Sequence, residues 1–303
     1  MKDLIVIGAG PAGMTAALYA LRAGKSVLLM ECEAFGGQIT QSRRVENYPG
    51  IADISGMDLA DRMVSQVMSL GAEIEVGRVL EIRTEGTAKT VVSENGEFTA
   101  RAVILATGVR HRKLGVPGEE ALIGKGISFC AICDGAFFRD REVAVLGGGN
   151  TAVQDALLLA ETSSRVYLIH RRDGFRAEQT LMERVYANEK ITVLTDTVVT
   201  EIRGEDTVDA LLLKNVKTGE TSVLAVAGLF EAIGSVPQNE AFANVIALDG
   251  DGYIDAGEDC RTTAEGIFAA GDCRRKEIRQ LTTATADGSV AGLAAVEYLN
   301  TLG

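Results

Sequence analysis

The chain has 303 residues, of which 47% are hydrophobic and 24% charged, so it is long enough for two ordinary domains and has the composition of a folded globular protein. It carries 30 lysines and arginines against 42 aspartates and glutamates, a formal net charge of -12. This negative charge, with 5% aromatic residues and no tryptophan, argues against nucleic acid as a partner, because nucleic-acid-binding proteins neutralise phosphates and stack bases.

Residues 4–21 contain no charged side chain and form a segment that is just long enough to be mistaken for a membrane span or a signal sequence. Gly8, Gly10, Pro11 and Gly13 interrupt it, which favours a strand, a turn and a helix instead. The five cysteines are an odd number with one close pair, a usage typical of a reducing compartment. We therefore expect a cytoplasmic protein that does not associate with a membrane.

The N-terminal segment predicts a βαβ unit with a glycine turn. Residues 4–7 predict a buried strand, residues 11–23 an alanine-rich helix and residues 26–31 a second strand. In the turn GAGPAG, the first glycine permits the tight bend, the second lets a pyrophosphate approach the backbone and the third allows close helix packing. Glu31 ends the second strand, where a carboxylate can hold a ribose hydroxyl, so this site suits an unphosphorylated adenosine such as that of FAD. Its expected turn residues are Gly8, Gly10, Pro11, Ala12 and Gly13.

A second copy of this unit begins 139 residues after the first, where the turn reads GGGNTA. Its strand, helix and second strand are predicted at residues 143–146, 151–161 and 165–169. At the position of Glu31 the second copy has His170, which opens the basic sequence HRRDGFR. Cations at this position accommodate a 2′-phosphate, so the second site is expected to prefer NADPH. Its expected binding residues are Gly147, Gly149, Asn150, Thr151, Ala152, His170, Arg171, Arg172 and Arg176.

Residues 266–272 predict a short strand ending in Asp272, whose carboxylate can hold a ribitol hydroxyl. A long helix from about Leu281 to Leu299 would direct its positive N-terminal end at a flavin. We therefore expect an α/β fold of two Rossmann-like, three-layer dinucleotide-binding domains, with the NADPH-binding domain inserted into the FAD-binding domain. The expected boundaries are 1–112 and 238–303 for the FAD-binding domain, and 113–237 for the NADPH-binding domain.

Cys130 and Cys133, in the sequence CAICDG, either cycle as a disulfide or bind a metal ion. A structural zinc site would need two more paired ligands, and the other cysteines and histidines are scattered, so we expect no metal. In a redox pair, one thiolate attacks the disulfide of a partner and the other resolves the mixed disulfide. The neighbouring Asp134 could supply or remove the proton that this chemistry requires.

With these features in this order, the chain resembles the low-molecular-weight thioredoxin reductases of bacteria over nearly its whole length. The resemblance implies FAD and NADPH as cofactors, thioredoxin as the protein substrate, and a homodimer whose NADPH domain rotates. The motifs that carry it are GAGPAG, the Gly36-Gly37-Gln38 loop, ENYPG, Ala106-Thr107-Gly108, CAICDG, GGGNTA, HRRDGFRA and GIFAAGD followed by Arg279-Gln280.

The resemblance also implies residue roles. Cys130 would exchange with thioredoxin, Cys133 would face the flavin and Asp134 would be the acid. Beyond the glycine turn, FAD would be held by Glu31, Gly36, Gly37, Gln38, Asn47, Ala106, Thr107, Gly108, Gly271, Asp272, Arg279, Gln280 and Leu281. The departures from the family are Cys32, Cys273 and the basic run 274–276, which we expect to affect the surface and not the electron path.

Two other classes of function compete with this interpretation. One is an enzyme on the same fold: a dithiol oxidase that passes electrons to oxygen, or a reductase of another redoxin. The other is a non-catalytic flavin module that signals redox state. The basic cluster after His170 disfavours the oxidase, and the presence of both cysteines, both glycine turns and Asp134 disfavours the non-catalytic module.

Overall fold

The computed structural model describes residues 1–42 and 44–303, which divide into two compact units. Unit 1 comprises residues 1–110 and 236–303, and unit 2 comprises residues 111–235. Unit 2 is therefore inserted into the sequence of unit 1.

The secondary structure alternates strands and helices in both units. The strands are β1 (Lys2–Ile7), β2 (Val27–Glu31), β3 (Glu73–Val76), β4 (Val79–Glu85), β5 (Ala88–Ser93), β6 (Gly96–Leu105), β7 (Val109–His111), β8 (Ile127–Ser128), β9 (Glu142–Leu146), β10 (Arg165–Ile169), β11 (Ile191–Leu194), β12 (Thr197–Arg203), β13 (Ala210–Asn215), β14 (Thr221–Ala225), β15 (Gly228–Glu231), β16 (Ser235–Pro237) and β17 (Ile267–Ala269). The α-helices are α1 (Pro11–Arg22), α2 (Gly56–Ser69), α3 (Glu119–Leu122), α4 (Ala131–Asp134), α5 (Asn150–Thr162), α6 (Gln179–Tyr186) and α7 (Leu281–Thr301). Short 3-10 helices lie at Gly37–Gln41, Gly135–Phe138, Glu240–Phe242 and Gly271–Cys273.

The sheet of unit 1 has the strand order β3-β2-β1-β6-β5-β4, with β17 also pairing with β6. Strand β6 serves both parts of this sheet. Its first half pairs antiparallel with β5, while its second half lies parallel to β1 and β17. The chain enters β17 only after it has completed unit 2, so the last parallel strand of unit 1 is supplied by the C-terminal segment.

Unit 1 has three layers because both faces of its parallel strands are covered. Residues 4–7 form a continuous apolar run in β1 and are at most 5% exposed, as expected for a parallel strand buried on both sides. Leu4 and Val6 pack on the face that carries α1 and α7. Ile5 and Ile7 pack on the opposite face, against Phe242 and its neighbours.

Unit 2 repeats this plan with a parallel sheet of order β11-β10-β9-β15-β8 and an antiparallel sheet of order β12-β13-β14. Val143 and Val145 of β9 pack with α5, whereas Ala144 and Leu146 pack with Leu211 of β13. Helices, parallel sheet and antiparallel sheet are therefore the three layers of this unit.

The uncharged segment 4–21 lies in β1, the glycine turn and α1. Within the two described ranges, no helix combines the length and the apolar character that a membrane crossing requires.

Glu231, at the end of β15, is a buried carboxyl group in unit 2. It is 3% exposed, and its carboxyl group lies beside the carboxylate of Glu119. Burial, reinforced by the neighbouring Glu119 carboxylate, raises the pKa of Glu231 to about 8. The folded protein therefore keeps a proton on Glu231 at pH values where the unfolded chain has lost it.

We expect Glu231→Gln to remove a pH-dependent loss of stability. Between the ordinary glutamate pKa of 4.5 and about 8, the native state binds the extra proton, so the free energy of unfolding falls as the pH rises through this window. One pKa unit corresponds to about 1.4 kcal/mol. Above about pH 8 the variant should thus be more stable than wild type by several kcal/mol, and below about pH 4.5 nearly equal to it. Urea denaturation across this range measures the effect.

Glu189→Gln, at an exposed position of the same unit, is the matched control and should follow the wild-type profile. Identical slopes of stability against pH for wild type and Glu231→Gln would show that Glu231 does not hold the proton.

Candidate active site

The CAICDG segment of unit 2 contains a disulfide between Cys130 and Cys133, whose Cα atoms are 5.3 Å apart. The N–H groups of Cys133 and Asp134 donate to the Cys130 carbonyl at 3.2 and 3.1 Å, which forms the single turn α4. Cys130 is half-buried and Cys133 is exposed. The sequence leaves two possibilities for this pair, a redox disulfide or a metal site, and the structure contains the disulfide.

Asp134 is held next to the disulfide by a residue that the sequence analysis missed. The Ser128 hydroxyl donates to Oδ2 of Asp134 at 2.6 Å and accepts the N–H of Cys130 at 3.1 Å. Burial raises the pKa of Asp134 above its ordinary value, and the hydrogen bond from Ser128 opposes that rise. Ser128 therefore connects the acid to the backbone of the first cysteine. It lies two residues before the pair, in the short strand β8, but a lone serine carries no motif.

Ser128→Ala is expected to move the pH dependence of disulfide chemistry to higher pH. Loss of the hydroxyl removes a hydrogen bond that favours the carboxylate, so the pKa of Asp134 rises. If Asp134 acts as a proton donor, the alkaline fall in rate shifts upward with that pKa. A pH profile of kcat measures the shift. Ser69→Ala, on α2 of unit 1, is the control and should leave the profile unchanged. A downward shift, or none, in Ser128→Ala would contradict the assignment.

The residue before Cys130 is also fixed by packing. The ring of Phe129 stacks on His111 with centroids 4.4 Å apart and planes inclined by 3°. Nδ1 of His111 lies 3.2 Å from the Ser235 hydroxyl. Burial lowers the pKa of His111 to about 4, so the ring is neutral at neutral pH. The stack therefore restrains the residue that immediately precedes the disulfide.

The first glycine turn has the shape expected for a phosphate site. Gly8 has a φ of +103°, and a Cβ there would lie 2.2 Å from the Ala106 carbonyl oxygen. A Cβ on Gly13 would lie 1.8 Å from the Gly8 carbonyl oxygen, so only glycine lets α1 approach β1 this closely. A Cβ on Gly10 would meet nothing within 4 Å. No side chain caps α1 at Gly10, so the first N–H groups of the helix have no side-chain acceptor. The space next to Gly10 is also empty, which leaves room for a phosphate at these N–H groups.

Several of the predicted flavin residues of unit 1 contact this turn, and others are linked to further residues of the unit. Glu31 accepts the N–H of Ala9 at 2.8 Å, and Gly36 donates to the Ala9 carbonyl at 2.8 Å. A Cβ on Gly271 would lie 2.8 Å from Cβ of Ala12, so the C-terminal segment also packs here. Further links within unit 1 join Gln38 to the Val109 carbonyl, Asn47 to Gln280 at 3.4 Å, and Thr107 to Asn239 at 2.9 Å.

Asp272 is half-buried, and its carboxylate oxygen Oδ1 is buried without a hydrogen-bond partner among the described residues. Burial raises the pKa of Asp272, whereas Lys276 and Arg279 lower it. The strand that the sequence predicts for residues 266–272 ends at Ala269, so Asp272 lies in the following 3-10 turn rather than at a strand end.

Arg279 lies with its guanidinium 4.5 Å from the ring centroid of Tyr253, and its buried Nε has no hydrogen-bond partner among the described residues. Gln280, the next residue, caps α7 through a reciprocal hydrogen-bond pair with Thr283. An acceptor on Asp272 and a donor on Arg279 are therefore left without partners among the described residues of unit 1.

The second glycine turn, in unit 2, has a similar design. A Cβ on Gly147 would lie 2.4 Å from the Ala232 carbonyl oxygen, and one on Gly149 would meet nothing within 4 Å. The His170 ring lies against this turn, since a Cβ on Gly148 would be 2.2 Å from its Cε1 atom. Burial lowers the pKa of His170, and the neighbouring arginines lower it further, so the ring adds no cation at neutral pH.

The positive charge after β10 therefore comes from three exposed arginines, Arg171, Arg172 and Arg176. None of their side chains forms an ion pair with another residue in 1–42 or 44–303. The Arg176 N–H donates to the Gly148 carbonyl at 2.7 Å, which ties the basic segment to the glycine turn. The residues predicted for the second nucleotide thus lie together in unit 2.

Two side chains of the basic run 274–276 are not surface features, contrary to the sequence-based expectation, whereas Arg275 is exposed. Arg274 is 1% exposed, and the side chain of Lys276 is 6% exposed. Both donate to the buried carboxylate of Asp287 in α7. The expectation was wrong because Asp287 lies more than ten residues further along the chain, and only folding brings it beside these cations. Cys273 is buried and Cys32 is exposed.

Two glycine turns, each between a strand and a helix, and a cysteine pair closed as a disulfide are the features of a nucleotide-dependent disulfide oxidoreductase. Residues 2–288 match the family model of the pyridine nucleotide-disulphide oxidoreductases, and the chain belongs to this family.

Relatives of the chain within this family include thioredoxin reductases. The thioredoxin reductase of Listeria monocytogenes is 45% identical over 301 residues, which cover 99% of this chain and 94% of the relative. That of Mycolicibacterium smegmatis is 46% identical over 301 residues, with coverage of 99% and 97%. The crystal structure of thioredoxin reductase from Streptococcus pyogenes has a TM-score of 0.96 and 43% identity, and 99% of each chain is covered. The predicted α/β fold and the resemblance to bacterial thioredoxin reductases are confirmed.

Proposed function

We propose that the protein is an NADPH-dependent thioredoxin-disulfide reductase that uses FAD and the Cys130–Cys133 disulfide. The disulfide next to the half-buried acid Asp134 is the observation that carries this proposal, since it supplies both the electron carrier and the proton donor. In this assignment unit 1 binds FAD and unit 2 binds NADPH. Oxidised thioredoxin is the protein substrate, as the names of the relatives indicate for those proteins.

The residues of unit 1 fit FAD. The partnerless Oδ1 of Asp272 is an acceptor suited to a ribityl hydroxyl, and the open space at Gly10 lies where a pyrophosphate would meet the N–H groups of α1. Glu31 would hold the ribose, and Arg279 and Gln280 the isoalloxazine. When bound, FAD supplies a two-electron carrier between a nicotinamide and a disulfide.

The residues of unit 2 fit NADPH. The open approach at Gly149 suits the pyrophosphate, and three arginines without ion-pair partners in the described ranges suit a 2′-phosphate. NADH lacks that phosphate and would leave the arginines without a ligand. The arrangement therefore supports a preference for NADPH.

The dithiol passes two electrons to thioredoxin in two exchanges. The Cys130 thiolate attacks one sulfur of the thioredoxin disulfide, which forms a mixed disulfide and releases the other sulfur as a thiolate. The Cys133 thiolate then attacks the Cys130 sulfur, so the Cys130–Cys133 disulfide re-forms and the second thioredoxin sulfur leaves. Asp134, whose burial favours the protonated form, can give its proton to a departing thiolate.

Purified protein tests the proposal directly. It should be yellow, and with NADPH and a thioredoxin from the same cell it should consume the nicotinamide absorbance. NADH in place of NADPH is the control and should support much slower turnover. A colourless protein that cannot be reconstituted with FAD, or one that consumes no NADPH with any host redoxin, would overturn the proposal.

We also propose that the protein acts in the cytoplasm as a homodimer. The three cysteines outside the pair are free, which is typical of a reducing compartment. Light scattering of the purified holoprotein should give twice the 32.0 kDa chain mass.

A further inference from the structure

A buried ionic cluster centred on Asp287 joins separate segments of unit 1. Asp287 lies in α7 and is 6% exposed. Its Oδ2 accepts the Gly271 N–H at 2.9 Å, Nε of Arg274 at 2.8 Å and Nζ of Lys276 at 2.9 Å. Its Oδ1 accepts Nη2 of Arg274 at 2.8 Å. One carboxylate therefore receives a backbone donor and two cationic side chains.

Burial of this cluster carries a cost that its hydrogen bonds offset. A buried carboxylate loses its hydration, and it is tolerated only when its oxygens are satisfied and its charge is paired. Burial favours the protonated form of Asp287, but the donors from Arg274 and Lys276 hold its pKa below the ordinary value. The carboxylate therefore stays charged, and it binds its backbone donor more tightly than a neutral acceptor would.

That backbone donor belongs to the turn that carries Asp272. Gly271 has a φ of +81°, and a Cβ there would lie 2.8 Å from Cβ of Ala12 at the start of α1. Gly288, which follows Asp287, lies even closer to α1, since its Cβ would be 2.3 Å from the Ala12 carbonyl oxygen. The cluster thus fixes the turn and α7 against the same end of α1.

The side chain of Asp272 is not held in place by its buried carboxylate oxygen. Its Oδ1 is without a partner in the described residues, so hydrogen bonds of that atom do not hold the side chain in place. The direction of the Asp272 side chain depends on the backbone of the turn, and the Gly271 N–H is the atom through which Asp287 holds that backbone.

We propose that Asp287 is a positioning residue for FAD, which holds the Gly271–Asp272 turn so that the Asp272 carboxylate is directed at the flavin site. The proposal rests on the proposed function, because it assumes that unit 1 binds FAD. Asp287 itself does not touch the cofactor, and Arg274 and Lys276 keep it charged in the interior.

The dissociation constant of FAD, measured by flavin fluorescence on dilution of full-length holoprotein, tests this role. Asp287→Asn keeps the size of the side chain but removes the charge, and should weaken FAD binding by about tenfold or more. Asp3→Asn is the matched control: Asp3 is also held by an arginine and a backbone N–H, and it lies at the start of β1, away from the glycine turn. It should change the constant by less than about twofold.

Two further measurements separate positioning from general destabilisation. In an Asp272→Asn background, Asp287→Asn should weaken FAD binding no further, because its effect passes through Asp272. Hydrogen exchange of the peptide containing Gly271 should accelerate in Asp287→Asn and remain slow in Asp3→Asn. Additive effects of the two aspartate substitutions, or unchanged exchange at Gly271, would overturn the proposal.

If Asp287→Asn does not fold, Arg274→Lys is the alternative variant for the same FAD-binding measurement. This variant keeps the positive charge but loses the two-pronged contact with Asp287, so FAD binding should still weaken, and an unchanged constant would overturn the proposal. Wild-type protein that binds no FAD would overturn the proposed function itself. Wild-type protein that binds FAD as tightly as Asp287→Asn would overturn only the positioning role.

Discussion

Cys133→Ser is expected to abolish NADPH-driven reduction of thioredoxin while the protein stays yellow. A serine hydroxyl cannot form a disulfide, so the variant has no Cys130–Cys133 pair to reduce. We expect kcat with thioredoxin to fall by about 10³-fold or more, because the two sulfurs act as one unit. The flavin absorbance should still fall on addition of NADPH, since the residues predicted to bind NADPH do not include Cys133. Steady-state turnover and an anaerobic NADPH titration measure the two effects.

Cys32→Ser is the matched control, because Cys32 is an exposed free thiol of unit 1. It should leave turnover near the wild-type rate. Cys130→Ser should lose turnover as completely as Cys133→Ser. Full activity in either variant of the pair would show that electrons leave the protein by another route.

Simultaneous replacement of Arg171, Arg172 and Arg176 by glutamine is expected to raise KM for NADPH by about 10²-fold or more. Charge-assisted hydrogen bonds to a phosphate are each worth about 1.5–3 kcal/mol, and 1.4 kcal/mol is a factor of ten in affinity. The three guanidinium groups are exposed, and they make no ion pairs within the residues that the structure describes, so they are available to an anionic ligand. The KM for NADH should stay nearly unchanged, because NADH lacks the 2′-phosphate.

Arg184→Gln, at an exposed position of α6 in the same unit, is the control for loss of surface charge and should not alter either KM. The discriminating quantity is the ratio of kcat/KM for NADPH to that for NADH. If the triple variant keeps the wild-type ratio, the arginines do not select the cofactor.

The parts of the fold that the sequence predicted are those with local causes. A buried apolar strand, a glycine turn and an alanine-rich helix follow one another in both units, and the structure has them at β1 to β2 and at β9 to β10. The constraints at Gly8 and Gly147 lie in short stretches of chain and repeat at a fixed spacing, so they can be recognised without tertiary information. The cysteine pair is equally local.

The parts that the sequence did not predict depend on residues that only folding brings together. Ser128 contacts Asp134 because β8 and α4 place them side by side. Arg274 is buried because Asp287, on α7, neutralises its charge. The sequence of a basic run does not indicate that it has such a partner. Glu231 ends an otherwise apolar strand without any motif. Burial and pairing of charges are tertiary properties, so composition and periodicity cannot reveal them.

The pairing of β17 with β6 has a consequence for biosynthesis. β17 lies more than half the chain length after the strand that it joins, and all of unit 2 is made in between. On the ribosome, residues 111–235 emerge complete while the N-terminal sheet still lacks its last parallel strand and α7. Since domains fold as units during translation, the inserted unit can mature first in the nascent chain. The turn that carries Asp272 can pack against Ala12 of the first glycine turn only when the final segment is released.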